Sequence, residues 1–291
     1  MKIGYFLHEQ CQFLGAVFGE RVIDLTGVPW GGSHPFLQRL TDLFRTENFS
    51  THLFQSLYAE GKDREDLWHD IGCLTYLPLF IPGKIICLGL NYEKHAREGG
   101  REAPEEPIYF EKAVTAMIAH GQTVLYPDGL GRVDPEPELA VIIGKRAQKV
   151  SEAAAREYIA GYTILNDVTA RDIQAKDIRN RQPWYRSKSI DTFCPVGPWI
   201  VTADEIDPLA PLHIQLRVNG EARQDGTTAD LIFKIPTLIA TISSLITLEA
   251  GDIISTGTPS GIAPVYPGDI MEIEIERIGV LRNPIGAASG R

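Results

Sequence analysis

The 291-residue sequence predicts an α+β fold dominated by β-strands, and three observations carry that prediction. From Lys84 onward, apolar and β-branched runs recur as "IICLGL", "LAVIIGK", "GYTILND", "PWIVT", "HIQLRVNG", "DIISTG" and "IMEIEIERIG", with Gly, Pro and Asn-Gly between them. Helical periodicity interrupts that series only at "SEAAAREYIA" and "IPTLIATISSLIT". Strands and helices therefore do not alternate regularly, which argues against a βαβ architecture.

Along the chain, "KIGYFL" and "GAVFGERVIDL" read as short strands joined in a hairpin, because turn residues flank them. From residue 35 to residue 62 the spacing becomes helical, as in "FLQRLTDLF" and "HLFQSLYAE". "LPLFIPGK" then sets two prolines and a glycine together, which predicts a boundary near residues 78–84. Residues 1–80 are thus expected as a small α+β domain and residues 81–291 as a larger, β-rich one. In "LRVNGEAR", Asn219-Gly220 suits a tight hairpin turn. Ser151 is the expected N-cap of the first later helix, and Pro236 suits the opening turn of the second.

Composition limits the function classes. Hydrophobic residues make up 44% and charged residues 23%, as in ordinary globular proteins. Lys and Arg number 28 against 38 Asp and Glu, so the net charge is 28 − 38 = −10. Without a basic run, that balance disfavours nucleic acid, although local charge in a pocket can still attract a small anion. The apolar patch in "MKIGYFLHEQ" is broken by His8 and Glu9, and the uncharged stretch 235–248 is too short to span a bilayer. Cys11, Cys73, Cys87 and Cys194 show no C-x-x-C spacing. A cytoplasmic protein with reduced thiols, without membrane or nucleic-acid partners, is expected.

The chemistry-bearing residues cluster at strand ends. In "DPEPELAVIIG", Glu136 and Glu138 stand two apart, on one face of a strand, at the mouth of an apolar run. An E-x-E is by default a solvent-facing edge, and Pro137 suits a strand start. The run 139–143 lacks alternation, however, and predicts a strand buried on both faces. "GYTILND" ends in Asp167, either an ordinary Asn-Asp turn or a functional strand end. Were Asp167 to approach the two glutamates, three hard oxygens would suit Mg²⁺ or Mn²⁺. Arg171 and Lys188, surface residues by default, would supply positive charge.

"LNYEKHAREGG" puts His95 and Glu98 three apart on a short helix, either as an exposed pair or as a carboxylate-oriented general base beneath a mobile lid. "STGTPSG" at 255–261 is rich in Gly and hydroxyls, and its N–H groups suit an anion-binding concavity. Ser260 lacks the G-x-S-x-G spacing of a nucleophile elbow.

Taken in order, "CLGLNYEKHARE", "DPEPELAVIIGK", "GYTILNDVTARDIQ", "KSIDTFCPVGPWIV" and "LEAGDIISTGTPSGI" resemble the signature segments of the fumarylacetoacetate hydrolase family, across residues 83–285. The first eighty residues resemble the N-terminal extension of many bacterial members. The resemblance implies a mixed β-roll or sandwich catalytic domain, a homodimer, and Mg²⁺ or Mn²⁺ held by Glu136, Glu138 and Asp167. It further implies that His95, Glu98 and Lys188 are catalytic, and that Arg171, Gln174, Gly257 and Thr258 bind a small anionic keto acid. The implied reaction is hydrolysis of C–C bonds in 1,3-diketo acids such as acylpyruvates. Relatives also decarboxylate oxaloacetate, isomerise 2-hydroxymuconate-type diacids, or hydrolyse or dehydrate keto-deoxy sugar acids. The segment "RNRQPWYRSK" brings Arg179, Arg181 and Arg186 as candidates for a second anionic group. A non-catalytic module with structural Ca²⁺ is the contrasting alternative, disfavoured by neighbouring cations.

Overall fold

The computed structural model describes residues 1–28 and 39–288. Two large sheets pack as a sandwich, with the short helices at their margins. At the middle of the larger sheet, Pro137–Ile143 lies between Ile159–Asn166 and Ile253–Ser255 and runs antiparallel to both. Every residue of Pro137–Ile143 and of Ile159–Asn166 is buried, which explains the lost alternation. Leu139, Val141 and Ile143 turn to one apolar cluster, while Ala140 and Ile142 turn to another. The strand therefore separates two cores.

On one side of this centre, Ile253–Ser255 pairs in parallel with Ile85–Gly89, which pairs with Ile108–Lys112. On the other, Ile159–Asn166 pairs with Cys194–Thr202. Lys2–His8 then joins Cys194–Thr202 through Lys2↔Val201 and Ile3↔Ile200, so the N-terminal hairpins extend the same sheet. Ile3, Leu14 and Phe54 accordingly share a cluster with Ile142, Leu165 and Ile253. The second sheet contains His213–Val218, Glu221–Thr227, Ile270–Ile275, Gly279–Ala287 and Val124–Tyr126. Its Leu216 and Ile273 meet Val141 and Ile164 in the main core, beside Leu238, Ile239 and Ile242 of the helix Ile235–Leu245.

Local sequence accounts for the connections. The hairpin turn expected at Asn219-Gly220 is present, with φ of +54° and +81°. "HLFQSLYAE" falls in Thr51–Gly61, where the Ser50 hydroxyl accepts from the Leu53 N–H at 3.2 Å. Residues 35–38 of the expected helical stretch lie outside the described residues, and Leu40–Arg45 is helical. "SEAAAREYIA" departs from expectation: Glu152–Tyr158 is a 3₁₀ helix, and Ser151 makes no side-chain cap. Its last residue already accepts the Gly144 N–H at 2.7 Å, and the tighter, longer-rise helix leads directly into Ile159. The four cysteines are free, and no helix among the described residues is long and apolar enough to cross a membrane.

Gly161 tests the central pairing. A Cβ there would meet the Val201 carbonyl oxygen, a backbone atom that cannot swing aside. Gly161→Ala should lower stability by about 1–3 kcal/mol, measured by urea unfolding. A neutral substitution would mean that the two strands part without cost.

Candidate active site

Antiparallel pairing brings the start of Pro137–Ile143 to the end of Ile159–Asn166, through Pro137↔Asn166 and Glu138↔Leu165. Glu136 and Asp167 lie just beyond that pairing, and the Asp167 N–H donates to the Glu136 carbonyl at 2.9 Å. The Asn166 side-chain oxygen accepts the Glu136 N–H, also at 2.9 Å. Glu136, Glu138 and Asp167 are buried, and one carboxylate oxygen from each lies within 4.8 Å of the others.

Cations surround two of the three. Lys188 Nζ donates to Glu136 Oε2 at 2.6 Å and Asp167 Oδ2 at 2.5 Å. Lys112 Nζ donates to Asp167 Oδ1 at 2.7 Å, to the Val168 carbonyl at 3.3 Å and to the Lys188 carbonyl. Arg171 reaches Glu136 Oε1 at 2.6 Å, Asp134 Oδ2 at 2.8 Å and Gln174 Oε1 at 2.7 Å. Glu138 takes only neutral donors, the Ser255 hydroxyl at 2.6 Å and the Gly257 N–H at 2.9 Å, both on Oε2.

The titration behaviour follows. Burial, then the charges of Asp167 and Glu136, push the Glu138 carboxyl up to about 8. Burial acts in the same direction on Glu136, but Lys188, Arg171 and His95 outweigh it and hold that carboxyl below the usual range. Burial opposes the charge of Lys188, whereas Asp167 and Glu136 hold its ammonium above the ordinary lysine range.

The donor set fits a divalent cation. With all three ionised, as a bound cation would hold them, the carboxylates against Lys112 and Lys188 leave −3 + 2 = −1, with Arg171 shared between Glu136 and Asp134. Among the described residues Glu138 Oε1 accepts no hydrogen bond, and Glu138 lines the cavity. Hard, anionic oxygens facing a cavity are the ligands Mg²⁺ and Mn²⁺ prefer.

That cavity has a volume of about 380 Å³, toward the small end of ligand sites. Of the expected site residues, His95, Glu136, Glu138, Asp167, Arg171, Gln174, Lys188 and Thr258 line it; Glu98 and Gly257 stand behind its wall. His95 sits on Glu93–Glu98, a helix begun by a sharp reversal with Leu90 at φ +58°. Asn91 clasps that reversal, donating to the Phe233 and Thr256 carbonyls and accepting the Phe233 N–H. Glu98 Oε2 lies 3.4 Å from His95 Nδ1, and the Gly261 N–H reaches both Glu98 oxygens at 3.2 Å.

The loop 255–261 thus binds anions that belong to the chain itself. Gly257, expected to contact substrate, gives its N–H to Glu138 from a left-handed φ of +96°, and Gly261 gives its own to Glu98. The Thr258 hydroxyl accepts from Gln224. Sequence reading missed Lys112, which looks ordinary beside Glu111 yet is only 2% exposed. It also missed that Asp134 braces Arg171. Nothing in "FEKAV" signals the first, whereas Asp134 stood within the singled-out motif.

Two measurements probe the charge balance. Lys112→Met leaves Asp167 short of a cation and should cost about 3–5 kcal/mol of stability in metal-free protein, by urea unfolding. A change below about 1 kcal/mol, the scale of an exposed pair, would remove Lys112 from this role. The raised Glu138 value means that the folded state binds its proton more tightly than the unfolded chain does. That contribution is full below about pH 4.5 and is lost as pH rises through about 8. Thermal midpoints of metal-free protein should carry this fall across that window, and Glu138→Gln should flatten it. An unchanged slope in the variant would assign the fall to other groups.

Comparison with known proteins identifies the family. Residues 84–286 match the fumarylacetoacetate (FAA) hydrolase C-terminal family model. The oxaloacetate tautomerase YisK of Bacillus subtilis (strain 168) is 44% identical over 255 residues, 82% of this chain and 83% of that protein. The fumarylacetoacetate hydrolase structure from psychrophilic Exiguobacterium antarcticum superposes with a TM-score of 0.83 at 32% identity, covering 99% of each chain. Maleylpyruvate hydrolase from Sphingobium sp. SYK-6, solved with manganese(II) and pyruvate, gives a TM-score of 0.79 at 31% identity, covering 99% of this chain and 100% of that one. With a matched family domain spanning most of its length and an acidic triad at the mouth of its central strands, the chain belongs to the fumarylacetoacetate hydrolase family.

Proposed function

We propose that this chain is a divalent-metal-dependent enzyme of small anionic 2-oxo acids, acting as a homodimer, and that it hydrolyses the C–C bond of 1,3-diketo acids of the acylpyruvate kind. The observation that carries the reading is that His95, backed by Glu98 at Nδ1, lines the same cavity as a buried carboxylate triad. Glu136, Glu138 and Asp167 would hold Mg²⁺ or Mn²⁺, which supplies Lewis acidity toward a chelating 2-oxo carboxylate.

The remaining steps belong to the chain's own groups. Glu98, fixed by the Gly261 N–H, orients His95 through Nδ1. The other imidazole nitrogen takes a proton from water, and the hydroxide adds to the distal carbonyl. The C–C bond then breaks with its electron pair passing to the 2-oxo acid fragment as an enolate, and His95 returns the proton to that fragment. Lys188 supplies positive charge where negative charge develops. Arg171, Gln174 and Thr258 offer the polar wall that orients the acid. The helix Glu93–Glu98 acts as a lid that keeps bulk water from the enolate.

A second reading rests on the similarity to an oxaloacetate tautomerase over 82% of this chain. In it His95 moves a proton between C3 and the enol oxygen, and water does not attack. Decarboxylation of oxaloacetate proceeds through the same enolate.

Chelator-stripped protein with Mg²⁺ or Mn²⁺ returned should consume an acylpyruvate, read as loss of enol absorbance and formation of pyruvate. His95→Ala should lower kcat by about 10²- to 10⁴-fold. Interconversion or decarboxylation of oxaloacetate without acylpyruvate cleavage would select the second reading. Turnover indifferent to chelator would sink both.

A further inference from the structure

At the inner end of the cavity the cations are paired with carboxylates, and at its outer end they are not. Arg101, just beyond the helix Glu93–Glu98, and Arg179, the last residue of Arg171–Arg179, both line the cavity. Among the described residues neither forms a salt bridge, whereas Arg186, Arg171 and Arg132 are committed. Arg186 is held by Asp177 at 2.5 Å, Arg171 by Asp134 and Glu136, and Arg132 by Asp134. An unpaired arginine is ordinary on a surface. Two that converge on one cavity from different elements are less so, and each ends a continuous wall.

The first wall is one face of a helix. Arg171, Gln174, Ala175, Ile178 and Arg179 all line the cavity, at the i, i+3, i+4, i+7, i+8 spacing of a single stripe. At 1.5 Å per residue, Arg179 lies about 12 Å along the axis from Arg171, which grips the carboxylate cluster. The second wall is aromatic. Lys188 Nζ lies 5.0 Å from the Phe110 ring centroid, Phe110 meets Trp184 edge-on at 5.5 Å, and the Arg101 guanidinium lies 5.8 Å from Trp184. Gly89 admits the indole, since a Cβ there would come within 2.8 Å of it. Both walls run from the cations of the inner end, across apolar surface, to a free guanidinium.

We propose that Arg101 and Arg179 form an anion subsite at the outer end of the cavity, so that the preferred substrate is an elongated 2-oxo dicarboxylate. Its 2-oxo carboxylate occupies the inner end, its apolar or unsaturated chain runs along Phe110 and Trp184, and its far carboxylate is taken by the two arginines. A four-carbon diacid is too short to use both ends. The proposal rests on the 2-oxo-acid reading of the inner end. It also separates Arg179 from Arg186, which is held by Asp177, and from Arg181, which does not line the cavity.

Calorimetric binding to protein supplied with Mn²⁺ tests the subsite without turnover. 2-Oxoadipate and 2-oxohexanoate share chain length and 2-oxo head and differ in a terminal carboxylate against a methyl. The dicarboxylate should bind about tenfold more tightly at low ionic strength, with the gap narrowing as salt is added. In the Arg101→Gln/Arg179→Gln double variant the gap should close to about twofold, and in the double Lys variant most of it should return. Equal binding of the two acids by the unsubstituted protein, or a gap unchanged in the glutamine variant, overturns the subsite alone. Failure of 2-oxoadipate, 2-oxohexanoate and pyruvate all to bind overturns the 2-oxo-acid reading and the subsite with it.

Discussion

Three carboxylates within 4.8 Å of one another, shut away from water, repel strongly, and much of the surrounding architecture answers that repulsion. Lys112 and Lys188 divide the two oxygens of Asp167 between them. Arg171 and Lys188 divide those of Glu136. Asp134 exists in this scheme to steady Arg171, and Gln174 takes another of its donors. Glu138 receives neutral donors from a glycine-rich loop and is left as the group with the least compensation. With all three carboxylates ionised the side chains leave −1, so a divalent cation would bring the site to −1 + 2 = +1, a charge suited to an anionic ligand.

The fold makes this arrangement affordable by putting it at the ends of strands. The sheet fixes backbone positions for Glu136, Glu138 and Asp167 through a register that two buried strands enforce. A slip of one residue would turn the inward faces of Pro137–Ile143 into each other's cores, which differ in the residues they contain. The geometry of the carboxylate triad is therefore guarded by apolar packing some distance from any charge. Residues that line the outer cavity come instead from short helices and turns, Arg101, Trp184, Ile178 and Arg179 among them.

How much of this was legible depended on whether a residue announced its burial. Glu136 and Glu138 did, because they abut an unbroken apolar run, and Asp167 did, because it ends another. The β-dominated fold was visible in its short strands and in the Asn219-Gly220 turn. Lys112 was invisible: a lysine at a strand end reads as solvent-facing, and only the return of the chain at 167–188 encloses it. Gly257 was assigned to substrate by resemblance, and its N–H contact with Glu138 was not foreseen, since loop closure across more than a hundred residues is not written in local spacing. The 3₁₀ form of Glu152–Tyr158 was likewise set by the Gly144 contact, which overrode local helix preference.

The helix proposed as a lid adds a difference in time. Glu93–Glu98 has six residues, too few to persist alone, and is retained by the Asn91 clasp and by the contact of Glu98 with Gly261. The strands bearing the carboxylates lie in the most enclosed part of the molecule. Local opening costs least where few apolar contacts are lost, so this helix should exchange its amides faster than the carboxylate strands. The histidine proposed as general base thus sits on the readily opened element, and the proposed ligand residues sit on the fixed one. The candidate site therefore joins a marginally held element to a rigid one, so its entrance could open without disturbing its floor.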